Sequence, residues 1–165
     1  MSATVDLRGR RAAVVTCSTR AAAGVYPDRG GALLAETLRE WGAEVADPVV
    51  VADGPAVGEA LAAALAEGPD LLLTTGGTGL TPTDGTPEAT RPLLEREVPG
   101  LAEALRARGV AQGVPTAVLS RGLAGVAGRT LVVNLPGSSG GVRDALAVLA
   151  EVLGHALDQV HGGDH

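Results

Sequence analysis

The residues with the most chemistry to offer lie in Thr74-Thr75-Gly76-Gly77-Thr78-Gly79 and in the carboxylate that follows at Asp84. An apolar run, Leu71-Leu72-Leu73, empties into this Thr/Gly-rich turn. Glycines there let main-chain N–H groups approach an anion closely, because no Cβ intervenes. The pattern predicts a central strand that opens into a backbone-lined loop holding a phosphorylated ligand. The spacing lacks the third glycine of the dinucleotide fingerprint and the lysine of a P-loop. Position carries the reading instead: the loop follows a buried-looking strand and precedes Thr86-Pro87-Glu88, which reads as an N-cap with proline at the first helical position.

Two carboxylates stand near such a loop. Asp84 comes before the Thr86 cap, so capping does not employ it, although Asp-Gly is also a common turn. Asp53 precedes Gly54-Pro55 at a helix start and, taken alone, suits an N-cap better than it suits chemistry. Two carboxylates beside a phosphate could share Mg²⁺, which binds through one or two carboxylates plus phosphate oxygens. At the last strand, Gly137-x-Ser139-x-Gly141 has the outline of a hydrolase nucleophile elbow. The triad does not follow, because only one helix remains to carry the histidine, and His155 and His161 lie far along it. A phosphate-binding helix N-terminus is the better reading of that stretch. The spacing of His155, His161 and His165 suits surface residues rather than metal ligands. Cys17 reads as a small buried filler. Arg20, Arg121 and Arg143 flank the candidate loops, with Arg143 already inside the last helix.

The elements that must position these groups alternate. Arg11 to Cys17, Val45 to Val51 (with Pro48 marking an edge or interrupted strand), Asp70 to Thr75, Pro115 to Leu119 and Arg129 to Leu135 read as strands. Ala32 to Trp41, the stretch opened by Asp53-Gly54-Pro55, Thr86 to about Glu97, Leu101 to Ala111 and Gly141 to Val160 read as helices. Pro99-Gly100 separates the third and fourth helices. In the last helix Val142, Leu146, Leu149, Leu153, Leu157 and Val160 share a face. Apolar strands without polar alternation, interleaved with helices, imply an α/β fold whose mostly parallel sheet is covered on both sides. Ligands in such sheets sit beyond the strand C-termini. Ser18, Asp53, Thr75 to Gly79, Ser120 and Pro136, Gly137, Ser138 and Ser139 all fall just past expected strand ends.

Composition bounds the rest. The 165 residues suffice for one domain, and with 1% aromatic content the core is Val, Leu and Ala. All 13 basic residues are arginine, which excludes lysine as base, Schiff-base former or phosphate clamp. A net charge of −6 argues against a nucleic-acid or anionic-membrane surface. One cysteine excludes an internal disulfide. The absence of a signal-peptide pattern and of a bilayer-spanning apolar run makes cytoplasmic the expected location.

Taken together, these residues resemble the MogA/MoaB family of molybdenum-cofactor biosynthesis, the molybdopterin adenylyltransferases. The likeness runs from about Ala12 to His161. It rests on Thr74 to Gly79 with Asp84 and Thr86-Pro87-Glu88-Ala89-Thr90, on Ser18-Thr19-Arg20 with Gly24-Val25-Tyr26 and Asp28, and on Arg96 to Gly100. Ser120-Arg121 with Ala124-Gly125, and Asn134 to Gly137, complete it. The resemblance implies a three-layer α/β/α fold of molybdopterin-binding type over residues 1–165, with its core at about 11–161, and commonly a homotrimer. It implies transfer of AMP from ATP with Mg²⁺ to molybdopterin, which is a substrate and not a prosthetic group. A downstream molybdate-insertion protein is a further implied partner. Asp53 and Asp84 fall where the family keeps functional acids, as the catalytic and Mg²⁺-binding pair. Ser18, Arg20, Thr75, Gly76, Gly77, Thr78, Gly79, Ser120, Arg121, Pro136, Gly137, Ser138 and Ser139 fall in its substrate- and nucleotide-binding segments. Two departures stand out: Ser139-Gly140-Gly141 replaces a stretch that often carries a proline and a basic residue, and Thr83 precedes Asp84 where some members have arginine. A non-catalytic molybdopterin-binding scaffold and a CinA-like nucleotide hydrolase share the Gly-rich core and are the alternative expectations.

Overall fold

The computed structural model describes residues 5–164. In chain order the elements are β1 (Arg11–Cys17), α1 (Thr19–Ala22), α2 (Arg29–Glu40), β2 (Glu44–Val45), β3 (Val49–Val51), α3 (Pro55–Ala66) and β4 (Leu71–Thr75). Then come α4 (Thr86–Thr90), β5 (Arg96–Glu97), α5 (Pro99–Ala111), β6 (Ala124–Ala127), β7 (Thr130–Leu135) and α6 (Ser139–Val160). The sheet order is β2-β1-β4-β7-β6-β5, with β3 also pairing β1. β1 runs parallel to β2, β3 and β4, and β4 runs parallel to β7. β6 and β5 complete the far edge in antiparallel pairing.

Alternation along the central strands sends side chains into two apolar layers. Leu71, Leu73, Leu131, Val133 and Leu135 join Leu34 and Leu38 of α2 and Leu149, Leu153 and Leu157 of α6 on one face. Leu72, Val132, Val15 and Cys17 meet Val57 and Leu61 of α3 on the other. Both faces of β4 are therefore apolar, which is why its sequence shows no polar alternation. The buried faces of α2, α3 and α6 are those the sequence spacing predicts.

Several expectations are corrected. Pro115–Leu119 is a 3₁₀ helix and not a strand. Proline at its start favours a helical first turn, and Val118 and Leu119 are exposed, so the apolar run is not a buried strand. The strand that fills the sheet is Ala124–Ala127, joined to β7 by the two-residue Gly128-Arg129 loop, with Ala127 opposite Thr130. The expected strand at Val45 to Val51 is two short pieces around Pro48. The helix expected to reach Glu97 stops at Thr90 and gives way to a 3₁₀ turn and then β5. Pro99 begins α5 instead of breaking it. α2 starts at Arg29, capped by Asp28, earlier than the apolar spacing indicates. α6 starts at Ser139. Ahead of β1, Leu7 is buried and its N–H donates to Trp41 O at 2.7 Å. Met1–Thr4 and His165 lie outside the described residues.

One buried polar network crosses this core. Asn134 on β7 donates through Nδ2 to Thr74 Oγ1 at 3.0 Å and to Thr90 Oγ1 at 3.1 Å, and its Oδ1 accepts from Leu123 N–H at 3.0 Å. It ties β4, α4 and the entry to β6 together with every amide group satisfied. Removing it takes the partner from the part-buried Leu123 N–H and the buried Thr74 hydroxyl, while Thr90 keeps its bond to Thr86 O; a buried group left unpaired costs about 1–3 kcal/mol. We expect Asn134→Ala to lower stability by about 3 kcal/mol in urea titration; a loss under about 1 kcal/mol would show that the network is replaceable by solvent.

Candidate active site at the strand C-termini

The chain crosses from β1 to the β2–β3 side and then returns over β1 to β4, so the strand order reverses between β1 and β4. Loops on the two sides of such a reversal part and leave a crevice. A cavity of about 860 Å³ occupies it. The ends of β1, β3 and β4 and the start of α6 contribute its walls through Ser18, Asp53, Thr75, Gly76, Gly77, Gly137, Ser138 and Ser139. Asp84, Arg20 and Arg29 also line it.

The turn after β4 is shaped by close approach. Gly76 has φ +93° and Gly77 φ +69°. A Cβ on Gly76 would run into the Cys17 carbonyl oxygen, and one on Gly77 into Thr86 Oγ1. Only glycine meets both demands, a left-handed backbone and no side chain. The Gly76 N–H continues the ladder by donating to Leu135 O at 3.1 Å. Thr75 Oγ1 donates to Pro136 O at 2.6 Å, fixing the β7 loop to the same strand end. Thr86 does not cap α4; that place is taken by Gly85. Its Oγ1 donates to Gly76 O at 3.0 Å and its N–H to Gly77 O at 3.1 Å.

The two candidate acids are brought together at this turn. Asp53 is not a helix cap, because Gly54 stands in that position before α3. Its Oδ2 accepts from Thr19 N–H at 3.2 Å and from Thr19 Oγ1 at 2.9 Å, while its own N–H donates to Thr19 Oγ1 at 3.1 Å. Asp53 Oδ1 lies 3.3 Å from where a Gly77 Cβ would stand. Asp84 closes its own turn by accepting from Thr81 N–H through Oδ2 at 3.1 Å, and that oxygen lies 2.7 Å from a would-be Gly79 Cβ. Both carboxylates thus accept through Oδ2, Asp53 from Thr19 beyond the end of β1 and Asp84 from its own turn. The cavity's charged wall holds Arg20 and Arg29 against Asp28, Asp53 and Asp84. That wall has no surplus of positive charge for a polyphosphate, so a divalent cation on Asp53 and Asp84 fits the donor set. No group of three or more His, Cys, Asp or Glu that could hold a metal occurs among the described residues.

The remaining candidates divide. Thr78, Gly79, Ser120 and Pro136 line a second, more apolar cavity of about 590 Å³ beside α5, and Ser138 borders both cavities. Ser120 follows a 3₁₀ helix, not a strand as the sequence suggests. Arg121 lines neither cavity. Its N–H donates to Thr78 O at 2.8 Å, Nε to Gly79 O at 2.9 Å and NH2 to Asp84 O at 3.0 Å. NH1 pairs with Glu88, whose carboxyl is held below the ordinary carboxylate range by that guanidinium. Arg121 is therefore the clamp that fixes the loop from Thr78 to Asp84. Ser138, and not Ser139, caps α6 by accepting from Gly141 N–H at 3.0 Å. His161 lies at the opposite end of α6, its Nε2 2.9 Å from Asp70 Oδ1 at the other end of β4, so a Ser139 triad with it has no geometry. Sequence reasoning missed Arg29 as a wall residue; the Asp28 cap just before it is the signal that places it on the first turn facing the crevice.

A seven-stranded α/β sheet with a polar crevice at its reversal point, rimmed by a glycine turn and two acids, defines a ligand-binding protein of the doubly wound class. The chain belongs to the MoCF_biosynth family, described as "Probable molybdopterin binding domain", whose model matches residues 13–155. It is 44% identical over 160 residues to a "Molybdenum cofactor biosynthesis bifunctional protein" of Synechococcus elongatus, covering 96% of this chain and 50% of that one. It is 34% identical over 153 residues to a "Molybdopterin adenylyltransferase" of Helicobacter pylori, covering 90% and 86%. The solved molybdopterin biosynthesis Mog protein of Mycobacterium ulcerans superposes with a TM-score of 0.87 at 55% identity, covering 92% of this chain and 99% of that one. The chain thus spans about half the length of the bifunctional relative and most of the other two. No helix among the described residues is long and apolar enough to cross a membrane.

Burial gives the site a pH limit. The Cys17 thiol ends β1 under the glycine turn, and desolvation pushes it from 9.0 up to about 11, with the Asp53 charge adding to the rise. Its folded form holds the proton longer than the unfolded form. The stability this represents is complete below pH 9 and is lost as pH rises towards 11. At about 1.4 kcal/mol per pKa unit the loss comes to about 2–3 kcal/mol. Denaturant titrations from pH 8 to 11 should show that decline, and Cys17→Ala should flatten it; parallel curves for the two proteins would disprove the assignment.

Proposed function

We propose that the protein is a molybdopterin adenylyltransferase acting in molybdenum cofactor biosynthesis. Asp53 and Asp84 lining one cavity with Gly76 and Gly77 is the observation that carries this reading. A terminal phosphate oxygen of molybdopterin attacks the α-phosphorus of ATP. A new O–P bond forms, the bond to the β-phosphate bridging oxygen breaks, and pyrophosphate leaves. The substrate phosphate is itself the nucleophile, so no side chain has to be. What the chain supplies is alignment and charge control.

The loop carbonyls are already engaged: Gly76 and Gly77 O with Thr86, and Thr78 and Gly79 O with Arg121. What this turn can still offer a ligand is N–H, which suits phosphate oxygens. Asp53 and Asp84 would hold the Mg²⁺ that accompanies ATP, and that ion supplies charge neutralisation on the phosphates when bound. Arg20 and Arg29 add positive charge at the cavity wall. Ser138, which caps α6 and borders both cavities, would contact both substrates. The second cavity, more apolar and bounded by Leu105, Val114 and Leu119, suits the flat ring of one of the two substrates.

The same reading makes the chain a single functional domain, a cytoplasmic homotrimer, and a supplier of adenylylated molybdopterin to a molybdate-insertion protein. The trimer is tested by sedimentation velocity at micromolar concentration, where a monomer boundary would remove it. The chemistry is tested with purified molybdopterin and Mg-ATP, following pyrophosphate. Asp84→Ala and Asp84→Asn should each cut release by more than about a hundredfold while leaving the unfolding free energy within about 1 kcal/mol of the parent. Wild-type turnover in both variants would reject Asp84's role. Molybdopterin binding without pyrophosphate release by the unaltered chain would instead identify a binding scaffold.

A further inference from the structure

The chain holds one tyrosine, one tryptophan and no phenylalanine. Trp41 is partly buried against the core behind α2. Tyr26 lines the polar cavity and stays 48% exposed. A chain this poor in aromatics has spent one on the wall of its ligand crevice, where burial does not explain it.

Tyr26 is also held in place from two sides. Its hydroxyl shares a hydrogen bond of 3.1 Å with Ser18 Oγ. Ser18 is itself fixed, since its N–H donates to Val51 O at 2.9 Å and its Oγ accepts from Ala21 N–H at 3.2 Å. On the other side, Pro27 leads into Asp28. One Asp28 oxygen caps α2 through Gly31 N–H at 2.9 Å, and the other accepts from Thr16 Oγ1 of β1 at 2.8 Å. The phenol tip and the following backbone are therefore both anchored to the end of β1. A ring so tethered is ordered before any ligand arrives and loses little freedom on contact.

We propose that Tyr26 is the stacking platform for the flat heteroaromatic ring of the phosphorylated ligand in this cavity, a purine or a pterin. The proposal rests on the adenylyl-transfer reading above and adds to it the residue that selects a ring. The phosphates are left to the glycine turn and the acids. Every purine and pterin presents a π-face, so a stacking wall binds the ring without reading its edge, and specificity for the ring is decided separately from the grip on phosphate.

The test measures affinities of the full chain for Mg-ATP, molybdopterin and tripolyphosphate by calorimetry, in the parent, Tyr26→Phe and Tyr26→Ala. We expect Tyr26→Ala to weaken one of the two ring-bearing ligands about fivefold to a hundredfold, while tripolyphosphate changes less than about twofold. Whichever ligand responds is the one that stacks. Tyr26→Phe keeps the ring and should stay within about threefold of the parent. The ring-proton NMR signals of the sole tyrosine should move upfield on binding. Unchanged affinities in Tyr26→Ala overturn the proposal, as does an equal loss for tripolyphosphate, or a loss in Tyr26→Phe matching that in Tyr26→Ala. If the parent binds none of the three ligands, the adenylyl-transfer reading and this proposal fall together. If the parent binds them and Tyr26→Ala is indifferent, stacking alone is lost.

Discussion

The contact between the Cys17 carbonyl and the α-carbon region of Gly76 governs the geometry of the whole crevice. It brings the end of β1 and the first residue beyond β4 closer than any side chain would permit. With Gly76 so placed, Gly77 must turn in the left-handed region and press against Thr86 Oγ1. Thr86 then becomes a hydrogen-bond partner of the loop, accepting its position from tertiary packing and not from the helix it begins. Gly137 packs its own missing Cβ 3.3 Å from Gly76 Cα, so the β7 loop closes on the same point. A methyl group at Gly76 would push apart β1, β4 and the start of α6 at once.

Charge is managed by the same economy. The chain has no lysine, and its cavity-lining arginines are matched by carboxylates. Arg121 spends its donors on Thr78, Gly79, Asp84 and Glu88, so it stiffens the loop carrying one acid without touching the cavity. Thr19 does the corresponding work for Asp53. Asp84 is thereby held by a group outside the crevice and Asp53 by a neighbour on its wall, much as second-layer hydrogen bonds orient functional carboxylates elsewhere. At the other end of the sheet, Asp70 and Arg129 hold His161, which keeps the long α6 fastened at its C-terminal turn. Its N-terminal turn is then free to face the ligand side.

Some readings of the sequence failed for identifiable reasons. Pro115–Leu119 is apolar, yet local proline chemistry and exposure make it a 3₁₀ turn, because an apolar run says nothing about whether a sheet position awaits it. Ala124–Ala127 is short and contains Gly125, so it lacks a strand's usual bulk; its place is set by pairing with β5 and β7, where a Cβ on Gly125 would meet Arg96 O at 2.6 Å. Asp53 reads locally as a helix cap, but a hydroxyl thirty-odd residues earlier in the chain competes for its carboxylate and wins. Arg121 falls in a ligand-contact segment by family resemblance, and only the folded loop reveals where its donors go.

By itself, the sequence determined the alternation of helices and buried strands, the apolar faces of α2, α3 and α6, the glycine turn after β4 and its family. These are written in local periodicity and in residue types that admit few conformations. Tertiary structure alone decided that Asp53 and Asp84 share one cavity, that Thr78, Gly79 and Ser120 belong to another, and that Tyr26 lies on the wall of the first. Such groupings depend on strand order and on which loop meets which across a sheet, and no local pattern encodes a distance between segments far apart in the chain.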